Sequence, residues 1–180
     1  AASDVYKRQA FGSAVNAAIN LIGSVGGKVI GLLSSLPCVG EGALTLREDP
    51  KLYGTAREST LLGPANSFYK LLATECAKLN VCVDLFLFPS SYIDVATLSC
   101  ISKYTGGQVF LYPNFNASRA EDAIKFAADF SSFLEAEVGL EAVLRIRCST
   151  GLAISTYHGS FFYRSSDLLA LPNVNPDQSY

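Results

Sequence analysis

The chain has 180 residues, of which 49% are hydrophobic and 17% charged. That is enough apolar material for a domain core and excludes a disordered tail or a solvated linker. Lys and Arg total 14 against 16 Asp and Glu, so the net charge of −2 excludes the basic excess that a DNA- or RNA-binding module needs. The low charge fraction also predicts that some of the surface is covered by a partner or by further chain.

Residues 1–9 have no cap, no period and no apolar core of a signal peptide, and are expected to be non-native or disordered. Ala14, Val15, Ala18, Ile19 and Ile22 then recur at helical spacing, and Gly23 with Gly26-Gly27 stops that helix. Lys28 to Leu36 is rich in β-formers and closes at Pro37. Asn66 and Ser67 are capping residues ahead of the stripe Tyr69, Leu72, Cys76 and Leu79, which ends at Asn80. The run Val81 to Phe88 is apolar on both parities except at Asp84, the mark of a parallel strand covered by helices on both faces. Ser91 and Asp94 can form a capping box before a helix carrying Val95, Leu98 and Ile101, closed by Gly106-Gly107. Gln108 to Tyr112 is a further short strand. Ser118-Arg119-Ala120-Glu121 predicts a second capping box, opening a helix through Ala123, Phe126, Ala127, Phe130, Phe133 and Val138 with Gly139 as its C-cap. Helix and strand alternate, so the class is α/β with a mostly parallel sheet.

After Gly139 the period changes to two. Leu140, Ala142, Leu144 and Ile146 alternate with Glu141, Val143, Arg145 and Arg147, a half-buried strand. Leu152 to Tyr157 and Ser160 to Arg164 are expected as further short strands on either side of His158-Gly159, paired antiparallel. About 40 residues cannot bury a core alone, so the expectation is a chain cut at both ends, with open strand edges.

Little here points to catalysis. His158, the single histidine, lies in a predicted turn, and no serine sits in a G-x-S-x-G elbow. Gly26-Gly27-Lys28 lacks the glycine spacing of a phosphate loop and leads into a strand. Asp84 is expected to lie at a strand end or to accept backbone donors, since a buried carboxylate is costly otherwise. Cys38, Cys76, Cys82, Cys100 and Cys148 include no C-x-x-C pair and read as buried reduced thiols, with no metal site. No apolar run reaches the roughly 18 residues of a membrane span. The informative pair is Arg145 and Arg147. On one strand, residues i and i+2 share a face about 7 Å apart, and with Leu144 and Ile146 facing the core both guanidiniums project outward as a fixed fork suited to carboxylates. The alternative is an ordinary solvated strand face, with Glu141 giving partial neutralisation.

The stretches Ser34-Ser35-Leu36-Pro37, Leu46-Arg47-Glu48-Asp49-Pro50, Leu52-Tyr53-Gly54-Thr55, Val83 to Phe88, Ala96 to Ile101, Leu144 to Cys148 and Arg164 to Leu169 resemble, in matching order, the cargo-adaptor subunit of the COPII vesicle coat, the Sec24 family. The resemblance implies that residues 10–138 are the C-terminal part of a von Willebrand A-like trunk domain and residues 139–180 the start of a β-sandwich or barrel. It implies a non-enzymatic coat component at endoplasmic reticulum exit sites that selects membrane cargo by binding short cytosolic sorting signals. Implied partners are the sister inner-coat subunit, those signals, the coat's small GTPase and the membrane surface. Arg145 and Arg147 match the paired arginines of the family's pocket for acidic signals. The family's structural zinc belongs to an amino-terminal finger absent from these residues, so no cofactor is expected here, and the D-x-S-x-S metal signature is missing. Two other readings remain open: the sister subunit that activates the GTPase, and part of an α/β hydrolase-like or nucleotide-binding enzyme.

Overall fold

The structure, a computed structural model, describes residues 8–159, 161, 165 and 167–174. Within them the elements run α1 (Phe11–Ile22), β1 (Gly27–Leu33), a 3-10 turn (Pro50–Leu52), α2 (Ser59–Leu62), α3 (Phe68–Lys78), β2 (Val81–Leu87), α4 (Val95–Thr105), β3 (Val109–Leu111), α5 (Ala120–Glu135), β4 (Gly139–Arg145) and β5 (Leu168–Val174). The expected α/β class is what the structure shows: β1, β2 and β3 form a parallel sheet in that order, and β4 and β5 form a separate antiparallel pair. The expectation for residues 1–9 falls mostly on residues outside those described.

All seven residues of β2 are buried, because each face of the central strand meets a different layer. Val81, Val83, Leu85 and Leu87 join Val15 and Ile19 of α1, Tyr69 and Leu72 of α3, and Leu98 and Ile101 of α4 in one core. Phe86 turns the other way, into an aromatic layer with Phe110, Phe126, Phe130 and Phe133 supplied by β3 and α5. Alternation along an extended chain places Asp84 on this second face, where it is fully buried. Asp84 Oδ1 accepts the Gln108 amide at 2.8 Å, as expected of a carboxylate at this depth, and Lys28 Nζ lies 3.1 Å from Oδ2. Oδ2 lacks an aligned hydrogen bond, so the Lys28 contact acts chiefly through charge.

Both predicted capping boxes are corrected. Asp94 itself is the N-cap of α4, its side chain accepting the Thr97 amide, because its carboxylate is also needed by Arg47. At α5 the cap position falls on Arg119 without a side-chain cap, and Asp122 reaches back to the Asn116 amide instead. That helix ends at Glu135 with Ala136 extended, so Val138 and Gly139 lie outside it and Gly139 opens β4. Leu152 to Tyr157 forms no strand, and of Ser160 to Arg164 only Phe161 is described. The partner of β4 is β5 instead. Three cysteines are buried as expected, but Cys38 and Cys148 are exposed.

The turn closing α4 is sterically exacting. Gly106 ends the helix at φ 73, the left-handed conformation glycine tolerates. A Cβ on Gly107 would fall 2.0 Å from the Val83 carbonyl oxygen of β2. Gly107→Ala is therefore expected to cost about 2–3 kcal/mol through forced separation of the α4–β3 turn from β2. Faster hydrogen exchange at the β2 and β3 amides would show it, and unchanged protection would contradict it.

Candidate functional site

The β4–β5 ribbon carries the predicted arginines. Its register runs from Gly139 opposite Val174 to Arg145 opposite Leu168, interrupted at Glu141, which has a φ of 54, and the Ile146 amide adds a last bond to the Asp167 carbonyl at 3.1 Å. The core face is set by β5, where Leu169 and Leu171 are buried with Phe161 against Ala142 and Tyr157. β4 was expected to be half buried, and the structure corrects this: Leu140, Val143 and Leu144 are exposed, with only Ala142 partly covered. A ribbon of two strands has too little partner surface among the described residues to cover both of its faces.

The ribbon is fixed to the parallel sheet at its other end. Asn173 is 1% exposed, and its Nδ2 donates to the Gly106 carbonyl at 3.2 Å, at the C-cap of α4. Asn80 Nδ2 donates to Glu141 Oε1 at 3.2 Å. Both contacts lie near the Gly139 and Val174 end, so the Arg145 end projects away from this anchorage.

The structure places Arg145 and Arg147 differently. Arg145 is the last residue of β4, on the face opposite Leu144, and its side chain is 56% exposed. Arg147 lies two residues beyond the strand, past the last ladder bond, and is exposed. The expectation that one strand holds both guanidiniums is corrected on this point, because β4 ends at Arg145, opposite Leu168, and Arg147 lies outside it.

Arg145 also has an occupant that sequence spacing missed. Its Nε donates to Asp167 Oδ2 at 3.0 Å, and Ser165 Oγ donates to Asp167 Oδ1 at 3.2 Å. The hydrogen bond from Arg145, then that from Ser165, hold the Asp167 carboxyl below the usual carboxylate range, so it is anionic at neutral pH. Glu141, considered from sequence as the neutralising group, bonds Asn80 instead. The residues were present in the Arg164 to Leu169 stretch, but no local spacing signals a contact between positions 145 and 167.

The remaining candidates do not assemble a reactive site. His158 is exposed and forms no hydrogen bond with another described residue. Burial pushes the Cys76 thiol up to about 12 and the Cys82 thiol well above its ordinary value, the opposite of a reactive thiolate. No metal-ligating group of His, Cys, Asp or Glu forms among the described residues. Two clefts lie elsewhere, about 410 Å³ between β3 and α5 and about 330 Å³ beside Arg47 and Tyr92. No helix among the described residues is long and apolar enough to cross a membrane.

Comparison with known proteins accounts for both sheets. The family model of the Sec23/Sec24 trunk domain matches residues 2–134, and that of the Sec23/Sec24 beta-sandwich domain matches residues 139–180. The chain belongs to the Sec23/Sec24 family. Protein transport protein sec24 of Aspergillus terreus is 59% identical over 171 residues, covering 95% of this chain and 19% of that protein. The Neurospora crassa protein of the same name is 58% identical over 169 residues, 94% of this chain and 18% of its own length. The crystal structure of the human COPII-coat protein Sec24c superposes with a TM-score of 0.89 at 35% identity, covering 94% of this chain and 23% of that one. The chain thus spans about a fifth of the length of the Sec24 relatives it matches.

Proposed function

We propose that this chain is the trunk-to-sandwich portion of a Sec24-type COPII coat subunit, selecting membrane cargo for transport from the endoplasmic reticulum by gripping acidic cytosolic sorting signals with Arg145 and Arg147. The observation that carries the reading is that Arg145, more than half exposed at the free end of an anchored ribbon, already holds a carboxylate by its Nε. An exposed guanidinium paired at one edge keeps its other donors for a second carboxylate, and a strand end needs little ordering to present them. The subunit acts by binding and holds no cofactor in these residues. Its work takes place on the cytosolic side of exit sites, beside the sister subunit, the coat GTPase and the membrane surface.

Reversing both charges, Arg145→Glu with Arg147→Glu, in the full-length subunit is expected to abolish capture of acidic sorting peptides while coat assembly on vesicles proceeds. Equal capture by the variant would remove the site assignment. The family name covers both inner-coat subunits, and a GTP-hydrolysis assay separates them: a cargo-selecting subunit leaves the GTPase rate unchanged, whereas its sister raises it.

A further inference from the structure

The cleft of about 330 Å³ beside Arg47 and Tyr92 is walled by segments that follow the carboxyl ends of β1 and β2, the side on which open parallel α/β sheets hold their ligands. Arg47 fixes its shape. The guanidinium bonds Asp94 at the start of α4 and the carbonyls of Thr60, Leu61 and Gly63 in α2 and its exit. Asp94 neutralises that one cation and caps α4, so neither brings uncompensated charge. Glu48 and Glu58 are different. Glu48 Oε1 accepts the Tyr53 hydroxyl and Glu58 Oε2 accepts the Gly54 amide at 2.9 Å, which leaves one oxygen of each carboxylate without a hydrogen bond among the described residues. Neither acid forms an ion pair with Lys51 or Arg57 of the same loop, or with any other described cation. The bond to Glu48, then desolvation, then the charges of Glu48 and Glu58 raise the Tyr53 hydroxyl above its ordinary value, so both acids act on the same part of the cleft.

We propose that this cleft docks an arginine of a partner polypeptide, its guanidinium between Glu48 and Glu58 and an apolar neighbour of that arginine resting on Leu61, Leu62 and Ile93. Complementary charge names the occupant: two carboxylates, each with a free oxygen and no cation of its own, call for a group with several donors. A guanidinium serves two carboxylates at once and offers its plane to the ring of Tyr53 or Tyr92, whereas an ammonium is a point charge. The rim favours a peptide over a small free cation, since Leu62 is 81% exposed and Tyr53 48%. The volume sits at the low end of the roughly 300–1,000 Å³ of ligand pockets, room for one long side chain and its neighbour. Because Arg47 ties both walls in place beforehand, little ordering is needed on binding. The site uses no residue of the β4–β5 ribbon and prefers the opposite charge, so it stands apart from the reading of Arg145 and Arg147.

The test uses the full-length subunit and a fluorescent, end-capped peptide, Gly-Ser-Leu-Arg-Leu-Ser-Gly, with versions carrying citrulline or lysine in place of the arginine. Binding is read by anisotropy at about 0.1 M salt, where charges in contact still interact. Glu48→Gln and Glu58→Gln each keep the acceptor that holds Tyr53 or Gly54 and discard the charge. Each is expected to weaken the arginine peptide about fivefold, and the pair together about twenty-fivefold. Citrulline, which keeps the shape of arginine without its charge, is expected to lose as much against the parent protein as arginine loses against the double variant. Binding of the arginine peptide is also expected to slow hydrogen exchange in residues 48–62 and 92–96. Absence of saturable binding to the parent, or equal affinity in parent and double variant, overturns the proposal. Equal affinity for the citrulline peptide does so without any substitution, which keeps the test decisive if the glutamine variants loosen the loop. Equal affinity for the lysine peptide overturns the assignment to a guanidinium. Capture of acidic sorting peptides by the Glu48→Gln, Glu58→Gln protein is expected to match the parent, and its loss would mean that the two acids support the fold and not a separate site.

Discussion

Arg47→Ala is expected to release the long loop between β1 and α3, costing about 3–5 kcal/mol, the usual range for removing one partner of a buried ion pair. Arg47 grips Asp94 along two bonds of 2.8 Å, from Nε to Oδ2 and from Nη2 to Oδ1. The same guanidinium donates to the carbonyls of Thr60 at 3.0 Å and Gly63 at 2.7 Å, so one side chain ties α2 and its exit to the start of α4. The Arg47 side chain is 19% exposed and that of Asp94 only 2%, so water can replace little of what is lost. Thr97 extends the network: its hydroxyl donates to Asp94 Oδ2 at 2.7 Å and accepts the Ala65 amide at 2.8 Å. The readout is hydrogen exchange across residues 57–65, with opening faster by roughly a hundredfold to a few thousandfold, since each 1.4 kcal/mol is a factor of ten. Arg47→Lys is expected to recover little, because a single ammonium cannot bridge the carboxylate and two carbonyls at once. Full protection in the lysine variant would show that charge alone holds the loop.

How much of this architecture the sequence made legible depended on whether the signal was local. Val81 to Leu87 announced a buried parallel strand because its side chains are apolar on both parities, and the structure buries every one. Asn80, Gly106 and Gly23 marked element ends because their backbone or side-chain chemistry acts within a few residues. The strand β5 escaped notice because Pro172 and Asn173 are poor strand formers. Asn173 is there to reach the α4 cap, a tertiary purpose that overrides propensity. The capping boxes failed for a related reason: in the first, a distant arginine claims Asp94, and in the second the cap position falls on Arg119, with Asp122 in place of the expected Glu121 reaching back to a loop amide. At the site, the residue types and their parity were legible, and Arg145 does lie opposite Leu144. Neither the end of the strand before Arg147 nor the Asp167 contact could be read, since both depend on where β5 begins.

The second large effect concerns Lys28. Lys28→Met is expected to cost about 3–5 kcal/mol at pH 7.5, because it strands the Asp84 carboxylate, fully buried, with one backbone donor as its remaining partner. Methionine keeps the length of the side chain and an aromatic contact in place of the ammonium that sits 4.6 Å from the centre of the Phe133 ring, so the loss is chiefly electrostatic. The pH dependence gives the diagnostic sign. Burial raises the Asp84 carboxyl above its unfolded value, opposed by the Gln108 amide and then by Lys28. A carboxyl raised in the folded state binds its proton more tightly there, so stability falls as pH rises from the unfolded pKa through the folded one. Without Lys28 the folded value climbs further, so the variant is expected to recover stability as pH falls toward the unfolded carboxylate range. Most of its deficit then vanishes once Asp84 is protonated. Adding Asp84→Asn, which keeps an acceptor for the Gln108 amide and discards the charge, is expected to restore the double variant to within about 1.5 kcal/mol of the parent at neutral pH. Hydrogen exchange at the β1 and β2 amides between pH 5 and 7.5, corrected for the intrinsic pH dependence of exchange, measures all three variants. A Lys28→Met deficit that stayed constant over that interval, or that Asp84→Asn failed to repair, would mean that Lys28 acts on this sheet by packing over Phe133 and not by neutralising Asp84.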